Sequence, residues 1–310
     1  MVSIVTLTLN PTIDVAYSLE RLEHTDKLRA DSQLSDPGGG GINVARVFVR
    51  LGGNARCVYL RGGATGIALD ALLDLHQLVR DPIAIKGETR VGTTILERSS
   101  GEEYRVVPAG PVIGESEWQA CLDRLAASRC DFLVLSGSLP RGVPGNFYAR
   151  AVTDARRRGV RTVLDCSGEP LKAAMAAGSI ELVKPNLKEF QDLIGEKLVD
   201  PVDIGAAAQD LVRKGAARLV AVSLAERGGI LASADRVVEC RPPRVETLSS
   251  VGAGDSAVAA MVHGLAKGWT DENAFAFGVA AGSAALLTAG TGLARPGDVE
   301  RLHGMCEVHP

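Results

Sequence analysis

The chain has 310 residues, of which 46% are hydrophobic and 23% are charged. This length and balance exclude an intrinsically disordered protein and are enough for one large α/β domain, with or without a small appendage. The net charge of -3 excludes the strongly basic character of nucleic-acid-binding proteins.

The first hundred residues predict core elements that are interrupted by two polar segments. The core elements are a β-branched strand, a helix behind four glycines, a second strand and a second helix. We predict them at residues 3–9, 42–51, 55–60 and 67–79. The polar segments, about 14–34 and 88–108, have the pattern of exposed strands, and the second turns at residues 99–102. We therefore predict that the two segments form one small sheet, a lid, beside the main body.

After residue 115 the predicted helices and strands alternate. The helices are expected at 115–128, 145–158, 169–177, 187–194, 203–214, 254–267, 271–288 and 296–304. The strands are expected at 131–135, 161–165, 181–183, 218–223, 229–232 and 236–240. Such alternation is typical of a mainly parallel sheet with helices on both faces. The predicted fold class is therefore a three-layer α/β/α protein.

The most informative motif is Val251-Gly252-Ala253-Gly254-Asp255-Ser256. The apolar run that follows predicts a buried helix, so the glycines lie at a helix N-terminus, where amides have no partner inside the helix. Those amides and the helix dipole favour an anion. A carboxylate beside them, Asp255, can take a proton from a hydroxyl, and the combination suits phosphoryl transfer to an alcohol. The alternative is a plain loop with an N-cap aspartate.

Small and polar residues follow several of the predicted strands. Because the carboxyl ends of parallel strands share one sheet edge, we expect a ligand cleft there. The segments concerned are 10–14, 136–140, 165–168, 184–189 and 223–228. Asp14 can also be read as a solvated turn residue and Asn43 as a helix cap. Asn186 and Glu189 have the spacing of a capping box, but they also offer oxygen ligands for a water-mediated magnesium site.

The lid segments contain three basic residues of interest, Lys27, Arg90 and Arg105. They are either solvated strand residues or a group that converges on a substrate phosphate.

The six cysteines include no C-x-x-C pair, and their spacing fits neither a zinc site nor a disulfide framework. No apolar stretch reaches membrane-spanning length, and the pattern of a signal peptide is absent. We therefore expect a cytoplasmic protein with reduced cysteines and without a membrane or nucleic-acid partner.

The chain resembles the PfkB (ribokinase-like) carbohydrate kinases over nearly its full length. The motifs that carry this resemblance are 37–45 with Leu51-Gly52-Gly53, 251–256, Lys184-Pro185-Asn186 and Ser136-Gly137-Ser138-Leu139-Pro140. The resemblance implies a single ribokinase-like catalytic domain over 1–310, whose lid pairs with that of a second subunit in a homodimer. Within the family, the chain is most similar to the bacterial 6-phosphofructokinase branch. The implied reaction is ATP-dependent phosphorylation of fructose 6-phosphate at O1, a step of glycolysis.

The resemblance also implies a role for each matching position. Asp255 would be the base, and the amides of Gly252, Ala253 and Gly254 would surround the transferring phosphoryl group. The sugar phosphate would be held by Asp14, Lys27, Gly39, Gly40, Asn43, Arg90, Arg105 and Ser138. ATP would be bound by Lys184, Asn186, Ser223, Leu224, Ala225, Glu226, Arg227, Gly228, Val279 and Ser283. Glu189 would serve Mg²⁺, and backbone carbonyls around Ser249, Val251, Ala285, Thr288 and Gly290 would hold K⁺.

Two departures from the family pattern keep alternatives open. The segment Asn10-Pro11-Thr12-Ile13-Asp14 is similar to the 1-phosphofructokinase and tagatose-6-phosphate kinase branch. Against that branch, its members usually carry a lysine in the glycine run, where this chain has four glycines. Ala225 stands where the nucleotide loop commonly has a glycine. A non-catalytic sugar-phosphate sensor is a further alternative, which the intact Asp255 disfavours.

Overall fold

The computed structural model describes residues 3–24 and 27–309, so residues 25 and 26 of the predicted segment 14–34 lie outside the described part. The strands are β1 (Ser3–Thr8), β2 (Thr12–Leu19), β3 (Ser32–Gly38), β4 (Asn54–Arg61), β5 (Val79–Ala84), β6 (Arg90–Glu97), β7 (Glu102–Val106), β8 (Phe132–Ser136), β9 (Arg161–Asp165), β10 (Ile180–Val183), β11 (Ala217–Ser223), β12 (Gly229–Ala232), β13 (Val237–Arg241) and β14 (Glu307–His309). The helices are α1 (Gly40–Arg50), α2 (Gly63–Leu73), α3 (Glu115–Ala127), α4 (Phe147–Arg157), α5 (Gly168–Ala177), α6 (Leu187–Ile194), α7 (Pro201–Arg213), α8 (Ala253–Ala266), α9 (Asp271–Leu286) and α10 (Pro296–His303).

Ten of these strands form one large sheet in the order β14-β13-β12-β11-β10-β9-β8-β1-β4-β5. The seven strands from β11 to β5 pair in parallel, and β12, β13 and β14 add antiparallel pairs at one edge. Central strands such as β8 are buried along their whole length because helices cover both faces of the sheet. The predicted mainly parallel sheet is confirmed.

Successive residues of each strand point to opposite faces of the large sheet and pack into two separate hydrophobic cores. On one face, residues such as Ile4 and Phe132 pack with α1, α2, α8, α9 and α10. On the other face, their neighbours Val5 and Leu133 pack with α3, α4, α5, α6 and α7. The predicted three layers therefore follow from the two-residue period of the strands. Cys57, Cys121, Cys166 and Cys240 are buried, Cys130 and Cys306 are partly exposed, and all six are free.

The remaining four strands form a small sheet in the order β3-β2-β6-β7. Strands β2 and β6 are parallel, and the two outer pairs are antiparallel. Asp14 of β2 stands opposite Asp36 of β3 and Gly92 of β6. The two polar segments thus form one sheet, as predicted.

The structure corrects the predictions in two places. The helix predicted at 67–79 exists but with other bounds: α2 begins at Gly63 and ends at Leu73, and the chain continues into the edge strand β5. An edge position tolerates Pro82, whose presence hid this strand in the sequence. Strand β14 was not predicted, because its three exposed residues carry no hydrophobic pattern.

Within the described ranges, none of the helices combines the length and the apolar character that crossing a membrane requires.

Candidate active site

Five neighbouring parallel strands of the large sheet end at one edge and bring polar residues there. These residues are Asn10 after β1, Ser136 of β8, Asp165 of β9, Lys184 after β10 and Ser223 of β11. Above this edge lie a large cavity, a central cavity and a small cavity, and Asp255 lines the central one. The cleft expected at the strand ends is therefore present.

Asp255 lies in the first turn of α8 and is half-buried. Its Oδ2 accepts a hydrogen bond of 2.9 Å from Nδ2 of Asn43. Burial raises the pKa of Asp255 to about 7; the negative charge of Asp165 adds to the rise, while Asn43 and Lys184 oppose it. A carboxylate with a pKa near neutrality is suited to act as a general base.

An anion site adjoins this carboxylate at the N-terminus of α8. Gly252 caps the helix in the left-handed region, with φ 75°, and the first-turn amides point outward. The amide of Ala253 makes only a long turn contact, 3.5 Å, to the carbonyl of Ser250. Nζ of Lys184 lies 3.3 Å from where a Cβ on Gly254 would stand. A ligand with several negative charges could therefore bind here to the first-turn amides of α8 and to the ammonium group of Lys184.

The large cavity has a volume of about 410 Å³ and opens from Gly254 toward the α9 side of the molecule. Its lining includes seven of the residues predicted to bind a nucleotide: Lys184, Ser223, Ala225, Glu226, Gly228, Val279 and Ser283. Leu224 is instead buried, and Arg227 is exposed outside the lining. Met261 and Phe275 add apolar walls, so the cavity suits a flat aromatic group linked to an anion.

Ala225 adopts φ 54°, in the left-handed region that favours glycine. The loop thus keeps a glycine-type backbone conformation although a methyl group faces the large cavity.

The central cavity has a volume of about 290 Å³ and brings Gly40, Ser138, Glu189 and Asp255 together. Glu189 and Asn186 form a reciprocal capping box at the start of α6, with both hydrogen bonds at 2.9 Å. Burial raises the pKa of Glu189, and the hydrogen bond from the Asn186 amide opposes this. Both readings of this pair are compatible, since Glu189 caps the helix and also faces the cavity.

Asp14 lies behind the glycine run on the small sheet. Burial raises its pKa, whereas a hydrogen bond from Thr12 and the charges of Arg105 and Arg90 oppose the rise. Asp14 and Arg105 both line the small cavity. A Cβ on Gly40 would collide with Ser136, so the glycine run lets α1 approach the sheet closely.

Of the other predicted sugar-binding residues, Arg90 and Lys27 differ most from expectation. The Arg90 guanidinium donates to the carbonyls of Asn10 (2.8 Å) and Pro108 (2.9 Å), so it holds two loops together. Lys27 is exposed between β2 and β3 and lines none of the three cavities. Gly39 takes φ 112°, which only glycine adopts readily.

The five positions predicted for K⁺ come from the loop before α8 and from the end of α9 with the loop that follows it. The amide of Leu248 donates to the carbonyl of Leu286 at 2.8 Å, which joins the loops. Ser249 and Thr288 are buried, and Val251 and Gly290 line the small cavity. The carbonyl of Ala285 already accepts a hydrogen bond of 2.8 Å from the Thr288 hydroxyl.

Sequence reasoning placed Ser136, Asp165 and Cys166 in segments expected at the cleft but gave them no individual role, and it missed Met261 and Phe275. Asp165 is the most important of them, because its Oδ1 lies 3.4 Å from Nζ of Lys184 and its charge acts on Asp255. An acidic residue that ends a buried strand was the available signal. Met261 and Phe275 gave none, since they look like ordinary core residues.

Ala253 and Gly254 at the N-terminus of α8 line the large cavity, and Asp255 in the same turn lines the central cavity. An anion site next to a base in this way suits a kinase that phosphorylates an alcohol. The chain belongs to the pfkB family of carbohydrate kinases, whose family model matches residues 2–297. It is thus an ATP-dependent sugar kinase, as the sequence predicted.

Relatives agree with this assignment in sequence and in structure. The chain is 40% identical over 304 residues to the ATP-dependent 6-phosphofructokinase isozyme 2 of Escherichia coli, with 98% of each chain covered. Crystal structures of phosphofructokinase-2 from Escherichia coli, one with substrates and products and one with potassium, each superpose with a TM-score of 0.94 at 40% identity, covering 98% of this chain and 99% of the other. A ribokinase from Arabidopsis thaliana shares the fold, with a TM-score of 0.74 at 20% identity over 98% and 99% of the two chains. The fold is therefore ribokinase-like.

Proposed function

We propose that this protein is an ATP-dependent 6-phosphofructokinase that forms fructose 1,6-bisphosphate from fructose 6-phosphate in glycolysis. The observation that carries the proposal is the Asp255 carboxyl, with its raised pKa, beside the helix N-terminus that separates the large and central cavities. The 40% identity to an enzyme named for this reaction supports the choice of sugar.

In the proposed reaction the O1 hydroxyl of the sugar attacks the γ-phosphorus of ATP. The new O1–P bond forms as the bond between the γ-phosphorus and the bridging oxygen breaks, and ADP leaves with those electrons. Asp255 accepts the O1 proton. The amides of Gly252, Ala253 and Gly254, with Lys184, stabilise the charge on the transferring group.

The sugar phosphate is placed on the side of Asp255 that faces the small sheet. Asp14, Gly39, Gly40, Asn43 and Ser138 hold the sugar hydroxyls, and Arg105 and Arg90 attract its phosphate. Arg90 uses its remaining N–H groups, since two are engaged with backbone carbonyls. Lys27 reaches the phosphate of the neighbouring subunit's site rather than its own.

The small sheet serves as the lid of a single catalytic domain and as the contact in a homodimer. Its neighbouring strands β6 and β7 expose apolar side chains, namely Val91 (36%), Tyr104 (40%) and Val106 (62%), which the strand register places on one face. Exposed apolar residues of this size on neighbouring strands favour coverage by a second copy.

ATP occupies the large cavity, with its base near Val279 and Ser283 and its phosphates near Ser223, Glu226 and Gly228. Glu189, which lines the central cavity, and Asn186 at the same helix start would hold a magnesium ion through water, and this ion would neutralise phosphate charge. Carbonyls of the loops around Ser249 and Thr288 would hold K⁺. The crystal structure of the Escherichia coli relative in complex with potassium supports this assignment.

The identity of the sugar is tested by comparing kcat/KM for three ketose phosphates with MgATP. We expect fructose 6-phosphate to be preferred by roughly tenfold or more over fructose 1-phosphate and tagatose 6-phosphate. A preference of that size for fructose 1-phosphate would overturn the choice of substrate. Binding of all three sugars without turnover would favour the sensor alternative.

The pH dependence of kcat follows from the state of Asp255. Its raised pKa of about 7 means that the base is ionised above that pH and protonated below it. We therefore expect kcat to fall as pH decreases, with a midpoint near 7 in a buffered series that keeps MgATP constant. A rate that is flat from about pH 5.5 to 8 would contradict the role of Asp255.

The magnesium assignment predicts the phenotype of Glu189→Gln. This change keeps the shape of the side chain but removes its charge, so we expect the Mg²⁺ concentration at half-maximal rate to rise roughly tenfold, with little change in sugar KM. Glu196→Gln, which alters an exposed glutamate just beyond α6, should leave the magnesium titration unchanged. Coincident titrations for the two variants would refute the assignment.

A further inference from the structure

Arg46 is a charged side chain in the core that the proposed mechanism does not use. It lies on α1 and is only 2% exposed. Its Nη2 atom lies 3.0 Å from Oδ1 of Asp36, and its Nη1 atom donates to the carbonyl of Pro37 at 2.9 Å. Nε of Arg46 is buried and has no hydrogen-bond partner among the described residues. Burying a guanidinium at this cost suggests a role beyond packing.

The same guanidinium contacts Asn43, one turn earlier on α1. Nη1 of Arg46 donates to Oδ1 of Asn43 in a long hydrogen bond of 3.4 Å. A guanidinium can only donate, so only the amide oxygen can face it. The NH₂ end of Asn43 is thereby directed at Asp255, where it donates at 2.9 Å. A flipped amide would place its NH₂ group against the guanidinium, which only donates, and its oxygen against the carboxylate, which only accepts.

We propose that Arg46 is a positioning residue, which fixes the amide of Asn43 so that it donates to Asp255 and holds this carboxylate toward the acceptor hydroxyl. The catalytic part of this inference rests on the proposed function. Because Asp36 and Pro37 belong to β3, which pairs with Asp14 of β2, the same contacts tie the base to the small sheet.

The hydrogen bond from Asn43 favours the ionised form of Asp255 and therefore lowers its pKa. Weakening this bond should move the acid limb of the rate profile to higher pH. Asp165, Lys184 and Asp14 act on Asp255, and Glu189 lines the same cavity. The charged and titratable groups that face Arg46 are Asp36, Arg50, Asp14 and His76. The pKa of His76 is lowered to about 4 by burial and by the charges of Arg46 and Arg50, so it stays neutral across the tested range.

The test is the variant Arg46→Lys, which keeps the charge but cannot reach three acceptors at once. We expect kcat for fructose 6-phosphate to fall roughly tenfold and the midpoint of the acid limb to rise by roughly half to one pH unit. The KM for the sugar should change less than kcat. The matched control is Arg50→Lys on the same helix, whose Nη1 donates to the carbonyl of Gly292 at 2.6 Å. This control should keep the wild-type midpoint.

A second readout needs no turnover. In protein labelled with ¹³C at aspartate carboxyls, with the Asp255 signal assigned by its loss in Asp255→Asn, Arg46→Lys should raise the titration midpoint of Asp255 by a similar amount. If circular dichroism shows that Arg46→Lys does not fold, the variant Asp36→Asn replaces it. The Asp36 side chain is 25% exposed, and removing its charge weakens the ion pair that holds the Arg46 guanidinium in place. A titration midpoint within about 0.2 unit of wild type in the folded variant overturns the inference. A wild-type protein that titrates as expected but does not phosphorylate fructose 6-phosphate would instead refute the proposed function.

Discussion

Replacing Asp255 by asparagine should lower kcat by roughly three to four orders of magnitude while fructose 6-phosphate still binds. Asparagine keeps the size of the side chain and can still pair with Asn43, but it cannot accept the O1 proton. The measurement is a coupled assay for kcat, with sugar affinity followed separately by calorimetry. Turnover within tenfold of wild type would show that Asp255 is not the base.

The same variant should be at least as stable as the wild type. The pKa of Asp255 in the folded protein, about 7, is above its ordinary value of 3.8, so the folded state binds the proton more tightly than the unfolded chain does. The stabilising effect of that proton is present below about pH 4 and is lost as pH rises through 7. At pH 8 the wild type holds a buried, ionised carboxylate, which lowers its stability, whereas Asp255→Asn has a neutral side chain at this position. The Tm of the variant should therefore be higher. A clear drop in Tm at pH 8 would show that the carboxylate is held by contacts that asparagine cannot replace.

Gly252→Ala should lower kcat by roughly a hundredfold. The added Cβ would collide with Cδ2 of Leu293, which is buried, and the φ of 75° disfavours any side chain. Relieving the collision with Leu293 and the backbone strain would move the amide of residue 252 and the start of α8 away from the transferring phosphoryl group. The loss should fall on kcat more than on the KM for the sugar, which binds on the other side of Asp255.

Gly268→Ala provides the matched control for this prediction. Gly268 has the same φ of 75° just beyond the other end of α8, and a Cβ there would meet open space. Backbone strain should therefore lower the free energy of unfolding of Gly268→Ala by about 1 kcal/mol, while kcat stays near wild type. Equal losses of kcat in the two variants would mean that Gly252 acts only through helix stability.

The parts of the site that were predictable are those in which chemistry and backbone geometry lie in one short segment. The run from Val251 to Ser256 carries both the glycines and the carboxylate, and the loops after the strands follow from the parallel sheet. Asp165 was missed as an individual residue because its influence on Asp255 depends on how two strands and a helix pack. The same holds for Met261 and Phe275, whose cavity exists only after α8 and α9 meet.

The fold was predictable to a similar depth. The alternation of helices and strands predicted the three layers, but the edge strand β5 was hidden because it contains Pro82. The hydrogen bonds of Arg90 to backbone carbonyls could not be foreseen, since a strand arginine offers no sequence signal of which acceptor it will find.

The hydrogen bond between Asn43 and Asp255 joins residues that are 212 positions apart in the chain. A contact of such high sequence separation forms late, because the entropy of closing so long a loop must be overcome first. During synthesis on the ribosome, α1 cannot pack against α8 until most of the polypeptide has emerged, because α8 lies near the C-terminal end of the chain. Catalytic competence should therefore appear in a single step at the end of folding, and incomplete chains should show no partial activity.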